Sequence, residues 1–223
     1  MIRQQTFRSA PMLTLNDLPD INRIVALDAE TTGHRIMPLT EIRKMPKGMR
    51  LPGIVIQLGC AELLRDGGTW ITGRTWETLV NPDGPISPAS IAVHGIRPGA
   101  LKAAPRFADV RSEFEEFLGG SVLLAHAAEN EIDFLNYEMR RAKLTGWEES
   151  PYHEGRFLDT QLIARDVFPG APGNLDALCD RLWIDRSDRF EHHGALLDAM
   201  MTAEAFAKMA GGFVRDEVRS ISA

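Results

Sequence analysis

The sequence predicts a single α/β domain built on a mixed sheet. Three observations carry this expectation. Apolar, β-rich runs crowd the opening part of the chain, helical periodicities follow with one further strand-like run among them, and 44% hydrophobic with 25% charged residues over 223 positions suits one soluble core.

Residues Arg23 to Ala29 (RIVALDA) form a short apolar run leading into the acidic pair of LDAETTG, the pattern of a buried strand that ends at a site. Ile54 to Gly59 and Ala61 to Leu64 make a second β-rich stretch. Thr75 to Val80 make a third, closed by the turn Asn81-Pro82-Asp83-Gly84. Phe107, Val110, Phe114, Phe117 and Leu118 then fall at helical spacing and stop at Gly119-Gly120, after which Val122 to Ala125 read as a strand. Glu131 to Lys143 read as a helix with Leu135 and Met139 on one face. Thr160 to Val167 and Leu175 to Leu182 give two more, and the last helix runs from Gly194 to Met209 before Gly211-Gly212.

Charge and cysteine content exclude several classes. A net charge of −6 removes bulk electrostatics as an argument for nucleic-acid binding. The segment between Gly33 and Gly53 is the exception, with Arg35, Arg43, Lys44, Lys47 and Arg50 against the single acid Glu41; it reads either as a phosphate-contacting loop or as a solvated insertion. Only Cys60 and Cys179 are present, and no Cys/His cluster has zinc spacing, so a reducing cytoplasm is the expected setting. The N-terminal residues lack the apolar run of a secretion signal and no stretch is long enough to cross a bilayer, so no membrane partner is expected.

Three constellations carry chemistry. Asp28 and Glu30 lie two apart at a strand end, so alternation puts both carboxylates on one face, where hard oxygen ligands suit Mg²⁺ or Mn²⁺. His193 precedes the last helix and Asp198 lies in its second turn, close enough to converge on one pocket. LLAHAAENEIDFLNYEMRR runs a strand into a helix bearing Glu129, Glu131, Asp133 and Glu138. Each alone also reads as solvated surface. Acids at three separate element ends, however, match the demand of two-cation phosphodiester cleavage for about four carboxylates.

The segments IVALDAETTG, IVIQLGCAEL, AVHGIRPGAL, PRFADVRSEFEEFLGGSVLLAHAAENEIDFLNYE and FLDTQLIARDVFPGAPGNLDALCDRLWIDRSDRFEHHGALLDAMMTAEAF span residues 23–209 in order. They resemble the DEDDh family of 3′-5′ exonucleases, within it the epsilon proofreading subunits of bacterial DNA polymerase III. The resemblance implies a ribonuclease-H-like α/β fold, a mixed five-stranded sheet with helices on both faces. It also implies two divalent metal ions, Mg²⁺ or Mn²⁺, held by Asp28, Glu30, Glu131 and Asp198, with His193 as general base. Thr31, Val93 and His94 match the family's pocket for the 3′-terminal nucleotide. A histidine, with an ordinary pKa of about 6.5, suits the base role near neutral pH.

The middle motif departs from the family. Where the pattern has His-Asn-Ala-x-Phe-Asp, the chain has His126-Ala127-Ala128-Glu129-Asn130-Glu131, followed by Ile132-Asp133-Phe134-Leu135. The gapless match of His126 and Phe134-Leu135 places Glu131 in the catalytic position, with Asp133 as the alternative. Glu131 extends its charge by one methylene, and Asn130 replaces an aromatic beside the terminal base, where lost stacking costs roughly 1–3 kcal/mol. Gln57 stands where the family has Glu.

The expected organisation is an extension at 1–22, an exonuclease domain at 23–212 with a basic insertion at 34–53, and a tail at 213–223. The expected activity is 3′-5′ hydrolysis of phosphodiester bonds at single-stranded or 3′-ended nucleic acid, with release of nucleoside 5′-monophosphates and DNA placed ahead of RNA. The alternatives are an RNA-trimming exonuclease and a catalytically degenerate nucleic-acid-binding or scaffold domain. The chain stops at Ala223 without matching a polymerase-binding tail, so a stand-alone nuclease is expected ahead of one with a polymerase partner.

Overall fold

The apolar run before Asp28 forms strand β1 (Arg23–Thr31) in a computed structural model that describes residues 11–33, 53–143, 151–189, 193–211 and 213–214. β1 pairs antiparallel with β2 (Val55–Asp66), which turns back through Gly67-Gly68 into β3 (Thr69–Leu79). Both glycines of that turn have positive φ, 55° and 95°, the geometry that a two-residue hairpin of matching twist requires. On its other edge β1 pairs parallel with β4 (Val122–Ala125), and β4 with β5 (Phe157–Asp159). The result is a mixed five-stranded sheet, extended on the β3 edge by the two-residue β6 (Phe213–Val214), in the order β5-β4-β1-β2-β3-β6.

Helices cover both faces. α1 (Pro88–His94) and α2 (Pro98–Leu101) follow the meander, and α3 (Phe107–Leu118) precedes β4. α4 (Ala128–Arg141) follows β4, and α5 (Thr160–Val167), α6 (Leu175–Arg181) and α7 (Ala195–Met209) complete the chain order. Alternation along β1 divides the core. Val25 and Leu27 pack with Phe107, Phe114, Leu135 and Met139 of α3 and α4, whereas Ile24 and Ala26 pack with Ala199, Ala203 and Phe206 of α7. Each fully buried Phe or Leu contributes roughly 1.5–3 kcal/mol.

α7 lies close to the sheet for a reason visible in its sequence. Ala195, Ala199, Ala203 and Ala207 recur every four residues and are all buried, a stripe without bulk. Opposite its first turn is Gly59, the register partner of Asp28; a Cβ there would stand 2.1 Å from the Leu196 nitrogen and 2.2 Å from the Ala195 carbonyl carbon.

Several elements differ from expectation, each for a physical reason. β3 begins at Thr69, six residues early, because the Gly67-Gly68 hairpin sets its start. α4 begins at Ala128 rather than Glu131, since Ala127 in the left-handed region (φ 62°) and the Asp159 carboxylate, which accepts from the Ala127 and Ala128 N–H groups, define its first turn. α1, α2 and β5 lie in segments without a readable period: β5 has three residues, and α1 is set by the Ser87 cap and Pro88. In the segment 11–22, Leu18 joins the α7-side core and Leu13 bridges Leu158 of β5. The basic insertion at 34–53 lies, apart from Gly53, outside the described residues, as do residues 215–223 of the tail. Among the described residues no helix is long and apolar enough to cross a membrane.

Gly59→Ala should force α7 away from β2 and lower stability by about 1–3 kcal/mol. Urea unfolding checks this: an unchanged midpoint would mean that the helix does not depend on the glycine for its seat.

Candidate active site

Three element ends meet at one point. β1 delivers Asp28 and Glu30, whose register partners are Gly59 and Gln57. The register then slips between Glu30 and Thr31, a bulge that re-aims the strand end. α4 delivers Glu131 and α7 delivers Asp198, each in the first turn of its helix, where the positive end of the helix dipole favours negative charge. Glu30, Glu131 and Asp198 are buried, at 8%, 5% and 4% exposure, and Asp28 keeps a partial opening to the cleft.

Helix starts are held by polar side chains rather than left to water. Asp159 fixes α4 through the two N–H groups above and caps α5 by accepting from the Gln161 N–H at 2.7 Å. Gln57 accepts from the Ala195 N–H at 3.2 Å and so caps α7, whose N-cap Gly194 has no side chain to do it. Gln57 thus gives α7 its missing N-terminal acceptor without adding a fifth negative charge.

The carboxylates feel one another strongly. Burial, then the charges of Glu131, Asp198 and Glu30, hold the Asp28 carboxyl well above the usual carboxylate range. Burial and Asp198 push Glu30 to about 7, and burial and Glu30 push Glu131 to about 8. Ligand atoms of Glu30, His193 and Asp198 lie within 4.8 Å of one another. Oε2 of Glu131 is buried with no hydrogen-bond partner among the described residues. A partnerless carboxylate oxygen among three further carboxylates is a set of hard donors with more negative charge than one guanidinium offsets, and it fits Mg²⁺ or Mn²⁺.

Arg189 is the described cation bonded to this group. Its Nε–H donates to Asp198 Oδ1 at 2.6 Å and its Nη2–H to Oδ2 at 2.8 Å, while Nη1 meets Asp176. Nη2 also lies 2.9 Å from Nδ1 of His193. Burial, then the Arg189 charge, lower the His193 pKa and keep the ring neutral at pH 7.

A cleft of about 230 Å³ opens beside the carboxylates, lined by Asp28, Glu30, Thr31, Val93, His94 and Glu131, with His126 and Asn130 on its rim. The Thr31 hydroxyl donates to the Gly33 carbonyl at 2.6 Å, and buried His94 accepts at Nδ1 from the Ile96 N–H at 3.0 Å. The His193 N–H donates to the Val93 carbonyl at 3.1 Å, which ties the wall of the cleft to His193. Of the residues singled out from sequence, Asp28, Glu30, Thr31, Val93, His94 and Glu131 line this cleft, and His193 and Asp198 meet Glu30 beside it. Asp133 does not: it is exposed on α4, in the field of Arg140, Glu129 and Glu154. Arg189, Asp176, Asp159 and the capping role of Gln57 were not foreseen. Arg189 sits in DRSDRFEHH, a charged stretch without period that reads as solvated surface.

A family model described as Exonuclease (RNase_T) matches residues 25–206. The DNA polymerase III subunit epsilon of Haemophilus influenzae is 36% identical over 192 residues, which make 86% of this chain and 68% of that protein. The same subunit of Escherichia coli is 34% identical over 192 residues, 86% of this chain and 73% of that protein. Among solved structures, exonuclease X in complex with 5′ overhanging duplex DNA superposes with a TM-score of 0.55 at 24% identity, covering 84% of this chain and 89% of the other. The nuclease domain of 3′hExo, a DEDDh family member bound to rAMP, gives 0.65 at 18% identity over 86% and 92%. Both share the ribonuclease-H-like fold described above.

A carboxyl whose folded pKa exceeds its unfolded one binds more protons folded than unfolded, so stability falls as pH rises between the two values. For Glu131 that window runs from 4.5 to about 8. In chelator, Glu131→Gln should match the wild type near pH 5 and exceed it by on the order of 2 kcal/mol at pH 8.5. A difference that stays flat with pH, read by urea unfolding, would contradict the crowding of these acids.

Proposed function

The chain belongs to the exonuclease family and is a 3′-5′ exonuclease; from that premise we propose that it removes nucleotides from DNA 3′ ends with Mg²⁺ or Mn²⁺ held by Asp28, Glu30, Glu131 and Asp198. The observation that carries this reading is the buried Glu131 Oε2, without a hydrogen-bond partner among the described residues, beside three other carboxylates. Two divalent cations, when bound, supply the charge that stabilises the attacking and leaving oxygens of a phosphodiester.

The chain's own residues do the rest. The cleft formed by Thr31, Val93 and His94 holds the terminal nucleotide beside the carboxylates, and its size suits one nucleoside at a time. His193, neutral at pH 7, takes the proton of the attacking water, a role worth typically 10²- to 10⁴-fold in rate. The packed starts of α4 and α7 keep Glu131 and Asp198 in place, so the two ligands from helices need little reorganisation.

The relatives named as DNA polymerase III subunits support DNA as the substrate, a polymerase as partner and the cytoplasm as the setting. The nuclease unit is taken as residues 23–212, with the segments 11–22 and 213–214 packed on it. Glu131 is read as the middle ligand because it is buried at the cleft, whereas Asp133 faces solvent.

A 5′-labelled single-stranded DNA and an RNA of equal sequence, incubated with Mg²⁺, Mn²⁺ or chelator, test the proposal. The expected result is a ladder that shortens from the 3′ end of the DNA, absent in chelator and reduced about a thousandfold or more in Asp28→Ala. Faster loss of RNA would reassign the substrate, and no cleavage of either would leave a binding domain. Glu131→Asp should retain cleavage with a changed Mg²⁺/Mn²⁺ ratio, and Asp133→Asn should leave rates within about twofold. A collapse in Asp133→Asn would move the ligand to that residue.

A further inference from the structure

Arg189 occupies the groups that catalysis needs. Its side chain is 8% exposed, and it grips both oxygens of Asp198 with two parallel N–H groups, the strongest geometry open to a guanidinium and a carboxylate. A guanidinium has donors only, so at 2.9 Å Nδ1 of His193 must be the acceptor and the neutral ring carries its proton on Nε2. In this arrangement neither ring nitrogen can take a proton from water, and each Asp198 oxygen already carries a guanidinium N–H. The third arm reaches Asp176 in the first turn of α6, whose side chain is 44% exposed and lies outside the carboxylate group.

We propose that Arg189 is a positioning residue that holds the metal-free site closed, and that cation entry moves it from Asp198 onto Asp176 and releases Nδ1 of His193 in the same event. The inference rests on the metal reading above. A guanidinium bonded to both oxygens of Asp198 competes with a divalent cation for that carboxylate, by its charge and by the space it fills. Arginine does not leave by losing its proton, so it must move as a cation to another anion. Asp176 is already bonded to it and is 44% exposed, and although it also meets Arg186 at 3.6 Å, that arginine is held by both oxygens of Asp180, so Asp176 receives Arg189 without a new buried charge. The loading of Asp198 and the unmasking of the base thereby become one step, and the base is exposed only when the cations are present.

Titration of the full chain with Mn²⁺ after chelator treatment, by calorimetry, tests the exchange in the wild type, Arg189→Gln and Arg189→Lys. Gln removes the competitor and should bind Mn²⁺ roughly tenfold more tightly than the wild type. Lys keeps the charge but donates as a single point, so its affinity should fall between the two. Thermal unfolding of the same proteins should show Gln less stable than the wild type in chelator yet gaining more on Mn²⁺ addition. Tighter binding is a result that damage to the fold cannot produce. Equal affinity in all three proteins would overturn the exchange while leaving the metal site standing. Lys equal to the wild type would reduce the effect to bulk charge and overturn it as well, as would weaker binding in both variants. Failure of every protein to take up Mn²⁺ would remove the metal reading and the exchange together.

Discussion

Four carboxylates crowd into one partly dry pocket, and the cost of keeping them there is the constraint that organises the surrounding structure. Burial first, and then each like charge, makes these groups harder to ionise, which pushes Glu30 up to about 7 and Glu131 to about 8. Uncompensated, buried carboxylates cost several kcal/mol apiece. The fold offsets this with the positive ends of α4 and α7 and with the guanidinium of Arg189, and the proposed cations would offset the remainder. A site that is costly when empty is, for the same reason, one that binds positive charge well.

Such crowding is tolerated only on stiff supports. Glu131 and Asp198 sit on helices of 14 and 15 residues packed on opposite faces of the sheet, and Asp28 and Glu30 sit on the strand between them. The alanine stripe of α7 and the bare Gly59 bring helix and strand into backbone contact, which places Asp198 beside Glu30. Asp159 performs the equivalent service on the other side, since a single carboxylate caps α5 and fixes the turn into α4. These contacts lie outside the pocket, yet they set the spacing of the groups inside it.

The sequence made some of this legible and hid the rest for definable reasons. Strand β1 and its acidic end were readable because seven consecutive residues follow one pattern, and α3 and α7 because their apolar spacing repeats over three or more turns. The register with His126 and Phe134 favours Glu131 over Asp133 as the ligand; of the two, Glu131 lines the cleft and Asp133 is exposed. β5 and the short helices α1 and α2 are too brief to show a period; tertiary pairing and a Ser-Pro cap decide them. Arg189 escaped notice because a charged loop residue has no sequence mark that separates a buried fork from a solvated side chain. Gln57 was read as an acid removed, when its meaning lies in the N–H of Ala195, 138 positions away.

The hydrogen bond from the His193 N–H to the Val93 carbonyl joins two parts that evolution would otherwise be free to adjust separately. Val93 lies in the last turn of α1, the wall of the cleft proposed to take the terminal nucleotide, and His193, the proposed base, stands just before α7. A substitution that widens or narrows the cleft by shifting α1 therefore drags the backbone of His193 with it. If the proposed roles hold, changes in which ends fit and in how fast they are cut are inherited as one trait, and a lineage that remodels this wall must repair the loop before α7 in the same stroke.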